Sequence, residues 1–504
     1  MRSPCDVMPA SARRFGSKPA LVTAARTLSY AELDDASNRV AAALIARGVQ
    51  PAECVSLYAQ NRWEWIVAYH GVLKAGAVVN PLNVMLTPPE VAFVVGDCEA
   101  VAVIGSPDRI APLQEIRAQM PSLRELICFD APPPGAVAFD ELLERPVAAP
   151  PQPAIAPESL CSIGYTSGTT GHPKGAMQSH RAVLLNCALT ATMHCRSAAD
   201  TMVTALPAAH VYGNVAINGM FLAGGTVVLM ERFEAGAALE LIERHRATLF
   251  EGVPTMYAGL LSDPDLATRD LGSLTRTTVG GQTMPIATIV EWEQRSGAPL
   301  LELWGMTEIA GLGSTHALHA PNVHGSIGVS LPGIELQIGS LEQPGKVEPV
   351  GTPGELMVRG PIVMDGYHGK PEATAEVLGA DGWLRTGDVA RVDESGHYFV
   401  VDRAKDMIIT AGYNVYPAEI ERVIATHPAV SMVAVGRQAD AVKGELARAY
   451  VVLRPGASVA EEEIVEHCRP QLAAYKLPRS VRFVELLPTT SSGKIMRREL
   501  STLD

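Results

Sequence analysis

The sequence predicts a mixed α/β chain, and three observations carry that prediction. Along the N-terminal part, short Val/Ile/Leu-rich runs alternate with helical segments: "AVAVIG" (100–105), "ELICFD" (125–130), "GTVVLM" (225–230) and "ATLFEGV" (247–253). Runs of this kind between helices form parallel sheets covered by those helices. From about residue 325 the texture changes, and "GIELQIGS", "GELMVRG" and "HYFVVDRA" read as short strands between Gly/Pro turns. That pattern predicts an antiparallel or barrel-like subdomain. After Asp402 the order helix, strand, strand, helix, strand ("AEIERVIATHP", "VSMVAVGR", "ARAYVVLRP", "EEEIVEHCRPQL", "SVRFVEL") predicts a small α+β unit.

The first element is an amphipathic helix in "SYAELDDASNRVAAALIARGV". Ser29 and Glu32 have capping-box spacing, and Gly48 supplies the stop. The proline-rich stretch "PVAAPPQPAIAPES" (146–159) is a connector leading into the apolar run "SLCSIGY". Next comes "YTSGTTGHPKG" (165–175), whose three glycines, four Ser/Thr hydroxyls, proline and lysine exclude a core helix or central strand. A loop of this chemistry after a strand can offer backbone N–H groups and hydroxyls to phosphate oxygens, with Lys174 as a positive point charge. It is not a Walker loop: counting from Gly168, Pro173 stands where the second glycine belongs. The later "SSGKIM" also fails that pattern, because Pro488 replaces the first glycine and Ile495 the hydroxyl residue.

At 504 residues the chain has room for several domains and a large core. No uninterrupted apolar stretch reaches the ~18 residues of a membrane span. The N-terminal residues lack the apolar block of a signal peptide, so a cytoplasmic location is expected. The eight cysteines form no CxxC pair, which fits a reducing compartment and argues against a disulfide framework or zinc site. A formal charge of −13 disfavours nucleic acid as a partner.

The loop "YTSGTTGHPKG" resembles the phosphate-loop signature of the adenylate-forming superfamily. The resemblance recurs in order through "LPAAHVYGN" (206–214), "GGQTMP" (280–285), "LWGMTE" (303–308), "GELMVRGPIVMDGY" (354–367), "GWLRTGDVA" (382–390), "VDRAKDMIITAGYNVYPAEIE" (401–421) and "PTTSSGKIMRREL" (488–500). It spans essentially the whole chain and identifies it as similar to acyl-CoA synthetases. It implies a large N-terminal domain, residues 1–401, of two helix-covered sheet subdomains and a distorted β-barrel. A small mobile C-terminal domain, residues 402–504, would follow, with the hinge near 402–405.

The implied chemistry begins with a carboxylate attacking the α-phosphorus of ATP; the acyl-adenylate then passes its acyl group to the thiol of coenzyme A. Bringing two anions together needs aligned donors and positive charge. The resemblance gives Thr166, Ser167, Gly168, Thr169, Thr170 and Lys174 the β- and γ-phosphates. Thr307 receives the α-phosphate and Glu308 a magnesium ion. Trp304 stands where members usually have the tyrosine that stacks on adenine. Gly281 and Gln282 would line the adenine edge, with Glu302 and Leu303 on the same nucleotide-binding strand. Asp388 would accept the ribose hydroxyls, and Arg403 would donate to ribose or phosphate. Lys494 matches the catalytic lysine of adenylation, Lys405 the hinge, and Gly412 the backbone segment that approaches pantetheine. His210 belongs to the implied catalytic and acid-binding set, as a gate near the carboxylate. Pro488, Gly493 and Lys494 also fit the pattern around acetylated lysines in related synthetases, which implies a lysine acetyltransferase as a partner.

The motifs are open to three functions: a CoA ligase, an adenylation enzyme loading an acyl group onto a carrier protein, and a catalytically dead nucleotide binder. Amino-acid activators place an Asp near the start of the pocket helix, whereas "HVYGN" has no acid. The insertion that hampers rotation in fatty-acyl-AMP ligases is not evident. Glu308, Asp388 and Lys494 are all retained, against a dead enzyme. CoA ligase is therefore expected. In the family this chain resembles, the residue before the motif aromatic borders the acyl pocket: glycine there leaves room for long or aromatic acids, tryptophan restricts the pocket to acetate, and arginine accompanies malonate. Leu303 is apolar and intermediate in size, and Tyr212 and Ala216, one helical turn apart, form another wall. A short-to-medium, branched or cyclic monocarboxylate is the expected substrate.

Overall fold

The computed structural model describes residues 1–144, 155–166, 173–343, 345–403, 406–410, 413–440, 444–489 and 495–503. Most of the proline-rich connector, together with Ser167, Gly168, Thr169, Thr170, Lys405, Gly412 and Lys494, lies outside the described residues.

The expected helix near the start runs Tyr30–Ala46. Its capping box is complete, with Glu32 N–H donating to Ser29 Oγ at 3.2 Å and Ser29 N–H to Glu32 Oε2 at 2.8 Å. All four apolar runs are strands: Ala102–Gly105, Glu125–Cys128, Thr226–Leu229 and Leu249–Gly252. They fall in two large sheets. In the nine-stranded sheet, Leu300–Met306, Arg276–Val279, Leu249–Gly252, Thr201–Thr204, Thr226–Leu229 and Pro19–Val22 run parallel in that spatial order. Gly311–Thr315 pairs antiparallel outside Leu300–Met306. The eight-stranded sheet has a parallel centre through Leu160–Thr166, Val78–Pro81, Cys54–Tyr58 and Ala102–Gly105.

One continuous apolar core joins the two sheets. Helix Val211–Ala223 is buried over nearly its whole length, and helix His180–Met193 touches strands of both sheets. A helix apolar all round belongs inside such a core.

The texture change after residue 325 corresponds to a four-stranded antiparallel sheet: Glu335–Gly339, Gly354–Arg359, Leu384–Val392 and Tyr398–Arg403. It curls, since Tyr398 on the last strand donates its hydroxyl to Leu336 O on the first at 2.8 Å. Beyond it, Ile408–Thr410, Gly444–Leu453, Val430–Asp440 and Ser480–Phe483 join a separate sheet, packed with helices Pro417–Ile424 and Glu461–Cys468 around its own core. The sequence pattern anticipated this unit except for its leading hairpin, Ile408–Thr410 with Tyr413–Val415.

Candidate active site

The loop 167–172 connects two antiparallel strands. Thr166, the last residue of one, pairs in register with Lys174, the first of the next. The two described strands therefore form a hairpin, and residues 167–172 between them lie outside the described residues. In a Walker loop the chain runs on into a helix whose N-terminal dipole faces the phosphates; here the chain turns back into the sheet. Helix His180–Met193 begins only after the second strand, capped by Ser179. The base of the hairpin is anchored by Tyr165, whose hydroxyl donates to Asp97 Oδ2 at 2.6 Å.

Beside this hairpin lies the end of strand Leu300–Met306, which passes into a short turn, Thr307–Ile309. Gln178, from the second hairpin strand, donates Nε2–H to Thr307 O at 2.8 Å. Asn186 holds the far side of the turn, donating to Ile309 O and Leu312 O and accepting from Leu312 N–H. Ala310 takes a left-handed φ of 55°, a costly conformation for a side-chain residue that surrounding contacts must enforce. Glu308 is buried, and Tyr367 donates its hydroxyl to Glu308 Oε1 at 2.9 Å. Burial raises the Glu308 carboxyl above its ordinary range despite that bond. Lys174 Nζ sits 5.2 Å from the Tyr367 ring centroid, so one tyrosine touches both the lysine of the hairpin and the buried acid.

The curled sheet supplies the other wall. Asp388 and Arg403 are cross-strand partners in the antiparallel register, and Arg403 Nε lies 3.1 Å from Asp388 Oδ1. Trp304 donates its indole N–H to Asp388 Oδ2 at 2.7 Å. Trp304, Asp388 and Arg403 thus meet as one group. Gly281 and Gln282 follow strand Arg276–Val279, next to Leu300–Met306. Carboxyl ends of parallel strands are the usual ligand face of such sheets.

Leu303 packs on Gly280, where an added Cβ would stand 2.2 Å from Leu303 Cδ1 and 3.3 Å from Tyr212 Cε1. The Tyr212 hydroxyl bonds Thr278 Oγ1 at 2.7 Å. Ala216 is buried, and its carbonyl accepts from Arg196, whose fully buried guanidinium pairs with Glu251 at 2.5 Å. His210 caps the helix Val211–Ala223, its Nδ1 accepting from Tyr212 N–H at 3.3 Å. Between this helix start and the Thr307–Ala310 turn lies a small pocket lined in part by Gln178, Ala209, Val211, Asn214 and Ala310.

Glu302 faces Gly325, whose N–H donates to its Oε2 at 2.6 Å. Burial pushes the Glu302 carboxyl from 4.5 up to about 8. An acid whose folded pKa exceeds its unfolded value holds its proton better in the folded chain. The stability this brings is complete below the unfolded pKa and is lost as pH rises through the folded one. Glu302→Gln, neutral throughout, is therefore expected to keep its melting temperature between about pH 4.5 and 8, where the parent's falls. Parallel melting curves would remove burial of a charge at Glu302 as a cause.

Gln178, Asn186 and Tyr367 were missed by the reading of single residues. Tyr367 and Gln178 were near at hand, one closing a quoted motif and the other just past the hairpin. Asn186 carries no local signal.

Comparison with known proteins shows the family. The family described as AMP-binding enzyme matches residues 8–368, and the AMP-binding enzyme C-terminal domain matches residues 419–494. The long-chain-fatty-acid–CoA ligase of Bacillus subtilis (strain 168) is 33% identical, over 98% of this chain and 93% of that one. The feruloyl-CoA synthase of Amycolatopsis sp is 37% identical, over 94% of this chain and 93% of its own. The ATP-bound crystal structure of MatB from Rhodopseudomonas palustris matches with a TM-score of 0.91 at 32% identity, covering 99% of this chain and 98% of that one. With its two large sheets, curled antiparallel sheet and smaller C-terminal unit, this chain belongs to the AMP-binding enzyme family, as an AMP-forming acyl-CoA synthetase.

Proposed function

We propose that this enzyme converts a short-to-medium-chain, branched or cyclic monocarboxylic acid, ATP and coenzyme A to acyl-CoA, AMP and pyrophosphate. The observation that carries the substrate size is Leu303 resting on Gly280 beside Tyr212, two side chains and a glycine that would close the far end of an acyl pocket. The relatives named above act on a long-chain fatty acid and on ferulate, so the family fold alone selects no acid. Loading of a carrier protein is the less favoured reading, because those relatives make CoA thioesters.

In this reading Thr166 and Lys174 flank the loop that holds the β- and γ-phosphates, and Thr307 faces the α-phosphate. Asp388 and Arg403 take the ribose. Glu308 is a single hard oxygen donor in a buried turn, which fits Mg²⁺; that ion is commonly held by one or two carboxylates plus substrate phosphates. When bound, it would neutralise developing phosphate charge. Lys494 serves adenylation. The chain divides near residues 402–405, so that the C-terminal unit turns between half-reactions and brings the segment around Gly412 to coenzyme A. All eight cysteines are free thiols, which supports work in a reducing, cytoplasmic compartment. Among the described residues, no helix is long and apolar enough to cross a membrane.

The test is a panel of straight-chain, branched and cyclic acids in a CoA-dependent pyrophosphate-release assay, run on the parent and on Leu303→Gly. Each buried CH₂ is worth ~0.8 kcal/mol, so two or three added methylenes should shift kcat/KM by roughly 10–50-fold toward longer acids in the variant. Shorter acids should fare worse, having lost the wall. An unchanged chain-length optimum with lowered stability would make Leu303 a core residue and remove the size argument.

A further inference from the structure

We propose that Trp304 is a positioning residue for the nucleotide ribose, acting through Asp388 in addition to any contact of its ring with the base. The proposal rests on the reading of Asp388 as the ribose acceptor. An ionised carboxylate offers about four lone-pair positions. At Asp388 one on Oδ2 is taken by the Trp304 indole N–H at 2.7 Å, and one on Oδ1 faces Arg403 Nε at 3.1 Å. One lone pair on each oxygen is then left for the two neighbouring hydroxyls of a ribose. Two fixed donors also set the plane of the carboxylate before the nucleotide arrives, so less order has to be imposed on binding.

The two donors differ. Arg403 is exposed and its side chain is 50% accessible, so its hold on Asp388 is shared with water. Trp304 is buried, on a strand paired on both sides. Its indole packs against Gly313, where an added Cβ would stand 2.5 Å from Trp304 Cζ3 and 2.9 Å from Ile309 Cδ1. The absence of a side chain at residue 313 is what lets the indole reach Asp388. Indole N–H is a donor only, so this contact always takes up an acceptor position on the Asp388 carboxylate. The tryptophan standing at a position usually held by tyrosine therefore adds a fixed donor to the ribose acceptor.

The experiment measures AMP, 2′-deoxy-AMP and 3′-deoxy-AMP binding by calorimetry to the full-length parent, Trp304→Phe and Trp304→Tyr, each checked by its melting curve. Both substitutions keep an aromatic ring and remove the indole N–H, and either one that folds is decisive. The parent should prefer AMP to both deoxy forms. In the variants AMP binding should weaken roughly 10–100-fold, the worth of a hydrogen bond to a charged group. The deoxy forms should weaken less, so that the preference for AMP narrows. A parent that prefers AMP and variants that keep its full preference would overturn the proposal alone, leaving Trp304 a ring contact. A parent with no preference among the three would overturn the reading of Asp388 itself, and the proposal with it.

Discussion

Replacing Glu308 with glutamine is expected to slow acyl-adenylate formation by about 10²–10³-fold, the usual loss for one preorganised electrostatic contact in the transition state. The amide has the shape of the acid and can still accept from the Tyr367 hydroxyl that lies 2.9 Å from Oε1. It carries no charge. The buried turn, held by Gln178 and Asn186, should therefore stay intact while the cation site fails. Pyrophosphate release in single turnover reads the rate, and the Mg²⁺ concentration at half-maximal rate should rise. A loss below about tenfold with unchanged Mg²⁺ dependence would take Glu308 out of the catalytic machinery.

Lys494→Ala is expected to lower acyl-AMP formation by a similar ~10²–10³-fold while sparing thioester formation from supplied acyl-AMP. The two half-reactions differ in what they need. Adenylation joins two anions, and a mobile ammonium suits that work better than a fixed guanidinium. In the proposed reading, thioester formation proceeds with the lysine withdrawn. Its segment is tied to the small unit close by: Arg497 pairs with Glu421 at 2.6 Å, and Leu500 packs with Ala434 and Tyr450. The lysine should therefore travel with the C-terminal unit. The measurement is the rate of each half-reaction in the parent and the variant, with acyl-AMP supplied for the second. Equal losses in both would end the assignment of Lys494 to adenylation alone.

Much of the architecture was legible in local chemistry. The capping box at Ser29 and Glu32, the four apolar strands, the antiparallel texture after residue 325 and the helices and longer strands of the C-terminal unit depend on neighbours a few residues away. Period and capping are properties of a short window, so the sequence contains them. The nature of the enzyme was legible too, because its motifs carry their chemistry in residue type and order.

Other features required the folded chain. Nothing in "YTSGTTGHPKG" says whether its flanking segments pair as strands or lead into a helix; the pairing of Thr166 with Lys174 decides it. Trp304 and Asp388 are 84 residues apart, and Glu308 and Tyr367 are 59 apart. Their bonds follow from strand order and register, which no periodicity encodes, since a strand specifies which faces its side chains take but not which strand lies beside it. The sequence by itself determined the elements, the family and the residue types of the site. Tertiary structure alone decided which donor meets which carboxylate, because side chains far apart in sequence become partners only when the sheets bring them within hydrogen-bond reach.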